Sequence, residues 1–171
     1  MQAIRFDTKF ISRAAVIAAL YAAMTYLAGL FNLAYGPVQF RFSEALTLLP
    51  FLLPEAVPGL FAGCLLSNLL SPYGPLDVVV GTLATLLAAA WTAKCRSRAA
   101  AALPPVLCNA VLVGGMIAWY EAGFGPGFVP AFLWNGFTVA LGEAVVCYAL
   151  GLPMLRVLER RGIAGPAARS E

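Results

Sequence analysis

Apolar residues fall along this chain in long blocks rather than at a single helical or strand spacing, so block length carries the first information. A hydrocarbon core of about 30 Å takes about 20 helical residues to cross, and fewer where a segment is shielded by its neighbours. On that measure the sequence predicts six segments, over about 10–33, 43–53, 59–70, 78–93, 104–119 and 131–155. The second and third are short and bounded by prolines, and Pro104 and Pro105 open the fifth after a short basic loop. The expectation is one all-α integral membrane domain over residues 1–171, a six-helix bundle followed by a basic tail at 156–171.

Charges sort between the ends of these blocks. Arg5, Lys9 and Arg13 precede the first segment, Lys94, Arg96 and Arg98 follow the fourth, and Arg156, Arg160, Arg161 and Arg169 follow the sixth. Six crossings put all three clusters on one side and leave the opposite side with Arg41 alone. Basic residues in short connections prefer the cytoplasm, so both termini are predicted cytoplasmic. Four crossings with a re-entrant short pair would give the same sidedness.

Composition agrees with the block pattern: 61% hydrophobic, 11% charged and a mean hydropathy of +0.85 over 171 residues. The net charge of +3 is too small to suggest nucleic acid. Cys64, Cys95, Cys108 and Cys147 show no CxxC spacing and the chain has no His, so packing is the expected role of the thiols and no metal or cofactor is expected. The N-terminal stretch leads into a run too long for a signal-peptide core and is expected to be retained. Without His, a Ser-His triad, a zinc-protease motif and a haem ligand are excluded. The two lysines, Lys9 and Lys94, follow Thr8 and Ala93, so there is no phosphate-binding loop of the GxxxxGK type. An enzyme is not expected.

Glu143 changes the picture. It is the only charged residue in 131–155, and a carboxylate near the bilayer centre costs about 2.5–3.5 kcal/mol on insertion scales, which marks a functional site. Its partner must be another helix, a proton or a cationic, donor-rich ligand. Glu44, Asp77 and Glu121 join it as acids of the outer half. Glu44 follows Arg41 by three residues, a spacing that predicts an ion pair; Asp77 precedes an apolar run and suits an N-terminal cap; Glu121 sits in a Gly- and Pro-rich loop and is expected to be solvated.

Asn109, Asn135 and Thr138 are the other polar residues inside the last two segments. Asn135 and Glu143 project about 80° apart on a helix, whereas Trp134 points nearly opposite Glu143 and suits an interfacial anchor. Tyr35, Phe40, Tyr73, Phe124 and Phe128 supply outer aromatics, for which belt positions are the plain account. In the first segment Ala14, Ala18 and Ala22 form one small-residue row, and Ala15, Ala19 and Ala23 form the next. Such rows let another helix approach closely in lipid.

The stretches VQFRFSEALTLLPFLLP (38–54), PGLFAGCLLSNLLSPYGPLDVVVGTLATLLAA (58–89) and VALGEAVVCYALGLPML (139–155) resemble the QueT family of queuosine-precursor transporters. The resemblance implies a substrate-binding S component of an energy-coupling factor (ECF) transporter in a prokaryotic plasma membrane. It would work with a transmembrane T component and two cytosolic ATPases, with both alanine rows facing the T component. The implied substrate is an aminomethyl deazaguanine base captured from the outer side. Glu143 would take its ammonium arm or its guanine-like edge, Asp77 or Glu44 the other, Asn109 or Asn135 the ring carbonyl, and Tyr73 or Phe40 the ring face, with Arg41 beside them. At VGGMIAWYEAG the chain carries Met116 where the family pattern has an acidic residue. Three rival readings remain: an S component for another vitamin or purine-like solute, a stand-alone proton-coupled carrier, and a structural role.

Overall fold

Asp7 starts the first helix, α1 (Thr8–Leu30), by accepting a hydrogen bond from the Phe10 N–H at 2.8 Å, the capping arrangement that satisfies a free donor of the first turn. The computed structural model describes residues 7–31 and 40–163, and every regular element among them is a helix. Arg5, Tyr35 and Arg169 lie outside the described residues. After α1 come a 3-10 helix (Phe42–Phe51) and α2 (Ala56–Asn68). Three long elements follow: α3 (Pro75–Thr92), α4 (Arg98–Ala122) and α5 (Phe128–Arg160). By length and composition α1, α3, α4 and α5 are able to cross a membrane, while the 3-10 helix and α2 are shorter. The last two outrun their expected ranges at both ends.

Local chemistry sets the breaks. Gly74 and Gly123 take φ values of 62° and 57°, a left-handed backbone open to glycine at little cost, and they stand before α3 and after α4. Pro75 then occupies the first turn of α3, where its missing N–H is no loss. Ser97 caps α4 by accepting from the Ala100 N–H at 3.2 Å. Two single π turns interrupt the long elements, Asn109–Val113 in α4 and Cys147–Gly151 in α5.

α1 and α2 pack backbone to backbone. A Cβ added at Gly59 would lie 2.7 Å from the Ala14 carbonyl oxygen, and one at Gly63 would lie 2.8 Å from that of Ala18. The first alanine row is therefore spent inside the molecule: Ala18 and Ala22 are buried against this contact, with Ala14 partly so. Ala15, Ala19 and Ala23 remain exposed. The two rows predicted as one surface thus face different ways.

The 3-10 helix runs between the longer helices and is buried from 43 to 51. It packs with Tyr21 and Ile17 of α1, Leu60 and Cys64 of α2 and Ala89 of α3 through Leu46 and Leu49. Its other side meets Cys147 and Leu155 of α5 through Leu48 and Phe51. Large side chains such as Leu20, Leu83, Trp91, Phe137 and Leu141 point outward and are exposed, the arrangement expected where lipid rather than water surrounds the helices. Two ion pairs join the ends that carry the basic clusters, Arg13–Glu55 at 2.8 Å and Arg98–Glu159 at 3.0 Å.

Candidate functional site

A 3-10 helix has three residues per turn, so side chains three apart stack in one column. Runs beyond three or four residues are uncommon, and this ten-residue run places Glu44 and Thr47 in such a column, with Arg41 as the extended residue just before it. All three are buried.

Arg41 does not turn to Glu44, the partner expected from their spacing. Its guanidinium donates to the Asp77 carboxylate at 3.3 Å, with both side chains almost wholly buried. Asp77 lies in the first turn of α3 but makes no cap; its side chain is drawn to the cation instead. Glu44 is met from α1, where the Tyr21 hydroxyl donates to its Oε1. One turn further, the Thr25 and Ser43 hydroxyls share a hydrogen bond at 2.7 Å. Tyr21 and Thr25 are four residues apart on one face of α1, which ties the helix twice to the segment that holds Glu44.

Glu143 projects from α5 onto the same centre. The Asn109 side-chain amide donates to its Oε1 at 2.9 Å and also faces Glu44. The Cys147 thiol, one turn along α5, reaches the Glu44 carbonyl oxygen at 3.7 Å and Glu143 Oε2 at 3.9 Å, both long and weak contacts. The two π turns begin at Asn109 and at Cys147, the two residues that contact Glu143 from its neighbourhood. Single π turns recur at functional sites, where they re-aim side chains.

Asn68, at the end of α2, completes the cluster on the Asp77 side. Its Nδ2 donates to the Asp77 carbonyl oxygen at 3.1 Å and approaches the Thr82 hydroxyl at 3.4 Å. Gly81 leaves the room for this packing, since a Cβ there would come within 2.8 Å of Asn68 Nδ2.

The expected residues divide. Glu44, Glu143 and Asn109 are brought together, with Arg41 and Asp77 beside them. Asn135 is directed elsewhere: its Nδ2 donates to Glu121 Oε2 at 2.8 Å and to the Ala131 carbonyl oxygen at 3.0 Å. Glu121 is thereby partnered rather than simply solvated. Tyr73, in the connection before α3, packs edge-on against Tyr120 with ring centroids 5.4 Å apart. Burial first, then the negative charges of Glu121 and Asp77, pushes its phenol pKa above the usual value, so it stays a neutral donor. Phe40 is half-buried at the entry to the 3-10 helix. Trp134 is exposed, as an outward anchor should be.

Tyr21, Thr25, Asn68 and Cys147 belong to the site and were not singled out from the sequence. A tyrosine and a threonine one turn apart within an alanine-rich helix, and a lone asparagine closing an apolar one, were the available signals.

The cluster has two chemical properties. Among the described residues, Glu44, Glu143 and Asp77 face one buried cation, Arg41. Three buried acceptor atoms, Glu44 Oε2, Asn68 Oδ1 and Asp77 Oδ1, have no donor on the protein among the described residues. Each such atom costs about 1–3 kcal/mol while it stays without a partner. A ligand that brings positive charge and several N–H groups relieves both.

The family model described as QueT transporter matches residues 11–160. The chain belongs to the QueT transporter family. A similar protein is the queuosine precursor transporter QueT of Lactococcus lactis subsp. cremoris (strain MG1363), 42% identical over 73 residues. That stretch is 43% of this chain, and the chain spans 43% of the relative's length. No solved structure matches the chain. Family membership makes the chain part of a transporter family rather than an enzyme family, and the four long apolar helices agree with a membrane protein.

Proposed function

We propose that this QueT-family chain is the substrate-capture subunit of an ATP-driven ECF uptake transporter, and that it binds a queuosine precursor, an aminomethyl deazaguanine-type base, from the outer side of the plasma membrane. The observation that carries this reading is the set of buried acceptors without donors beside an excess of carboxylates. A flat base with an ammonium arm and a guanine-like edge supplies what that set lacks: a cation and several N–H donors. Glu44 and Glu143, with Asn109, hold the ligand, and Asp77 and Asn68 offer further acceptors next to Arg41. The relative's name points to the same substrate class.

In this reading all six helical segments lie within the membrane, the termini face the cytoplasm, and energy comes from a T component with two cytosolic ATPases. Only one alanine row is left for the T component, because α2 occupies the other. Ala15, Ala19 and Ala23 form the docking row.

Direct binding to the purified chain tests the reading. The aminomethyl base is expected to bind, and Glu143→Gln to weaken it by about tenfold or more, the worth of one charged hydrogen bond. Unchanged affinity in Glu143→Gln would overturn the assignment. Uptake by the chain alone in proteoliposomes, without ATP, would favour a stand-alone carrier instead.

A further inference from the structure

Glu44 and Glu143 are held in matching ways. Tyr21 donates to Glu44 Oε1, and Asn109 donates to Glu143 Oε1 at 2.9 Å. Each carboxylate therefore has one oxygen committed to a neutral donor. Of the remaining oxygens, Glu44 Oε2 is buried without a partner, and Glu143 Oε2 has the Cys147 thiol at 3.9 Å. The two side chains meet at Cys147, whose thiol lies 3.7 Å from the Glu44 carbonyl oxygen and 3.9 Å from Glu143 Oε2, and the Asn109 amide that donates to Glu143 also faces Glu44. Asp77 differs, because Arg41 already neutralises it.

We propose that Glu44 and Glu143 form one clamp for a single protonated amine of the ligand, each giving one oxygen, with Asn109 as the positioning residue that keeps the two carboxylates together. The proposal rests on the precursor-binding reading and assigns the ligand's cation within it. A planar edge with two parallel N–H groups sits best on a carboxylate whose two oxygens are both open, and each glutamate already spends part of one oxygen on Tyr21 or Asn109. An ammonium group has three donors spread in three directions, so it reaches oxygens on two different side chains at once. It also brings a positive charge to two buried acids, which a neutral ligand does not. The guanine-like edge then falls to the acceptors without donors next to Arg41, Asp77 Oδ1 and Asn68 Oδ1.

Titration calorimetry on the full chain in lipid nanodiscs tests the clamp with two probes, 7-aminomethyl-7-deazaguanine and its uncharged 7-methyl counterpart. The wild-type chain is expected to prefer the amine by about 100-fold, the worth of one or two charged hydrogen bonds. Glu44→Gln and Glu143→Gln each reduce that preference to about tenfold or less, and the double variant loses little more than either single one, because the clamp works as a unit. Asn109→Leu reduces the preference for the amine by more than it lowers the affinity for the methyl base, a split that a merely structural role does not produce. Equal binding of both bases by the wild-type chain overturns the clamp and leaves the precursor-binding reading standing. Full, independent losses in the two glutamine variants overturn it as well. Binding of neither base overturns both.

Discussion

Tyr21 of α1 donates its hydroxyl to Glu44 of the 3-10 helix, a hydrogen bond inside the bundle between residues 23 positions apart. It joins the helix with the exposed alanine row to the segment that carries a site carboxylate. Glu44 of the candidate site and α1 are therefore physically connected.

Removing that hydroxyl leaves a buried carboxylate oxygen without its donor. Tyr21→Phe is expected to cost about 1–3 kcal/mol of stability, read as a lower midpoint of thermal unfolding in detergent without ligand. A midpoint equal to that of the wild-type chain would mean that the bond contributes nothing.

The Arg41–Asp77 pair is almost wholly buried. Arg41→Met strands the Asp77 carboxylate and is expected to cost about 3–5 kcal/mol, since a buried charge loses the guanidinium that neutralises it. The double variant Arg41→Met with Asp77→Asn should recover most of that stability, because no charge is then left alone. Equal instability of single and double variants would place the role of Arg41 elsewhere.

The two alanine rows make opposite demands. Ala18→Leu pushes a side chain into the α1–α2 contact at Gly63 and is expected to cost about 1–3 kcal/mol. Ala19→Leu points outward, leaves stability within about 0.5 kcal/mol, and lowers copurification with the T component. Undiminished copurification of Ala19→Leu would remove the docking row from the account.

The membrane blocks and Glu143 were legible because hydropathy accumulates over 20 residues and a lone charge within such a block has no cheap explanation. Asn109 stood out for the same reason, as one of the few polar residues inside the last two segments. The 3-10 geometry of 42–51 was not legible. The segment is buried all round, and Glu44 and Thr47, three apart, share a face in either helix type, so the spacing does not distinguish three residues per turn from 3.6. The choice of Asp77 over Glu44 by Arg41 was hidden as well: sequence spacing favours the neighbour three residues away, whereas the fold brings a carboxylate 36 residues distant to the guanidinium. Likewise the two alanine rows read alike until α2, with Gly59 and Gly63 facing Ala14 and Ala18, takes one of them.

The central claim is that the buried acid cluster captures a cationic, donor-rich base. Mass spectrometry of small molecules retained by the chain after gentle purification from cells tests it most directly. The account predicts an aminomethyl deazaguanine base released from the wild-type chain and absent from the Glu44→Gln, Glu143→Gln double variant. An unrelated retained molecule, or the same base carried equally by the double variant, would contradict it.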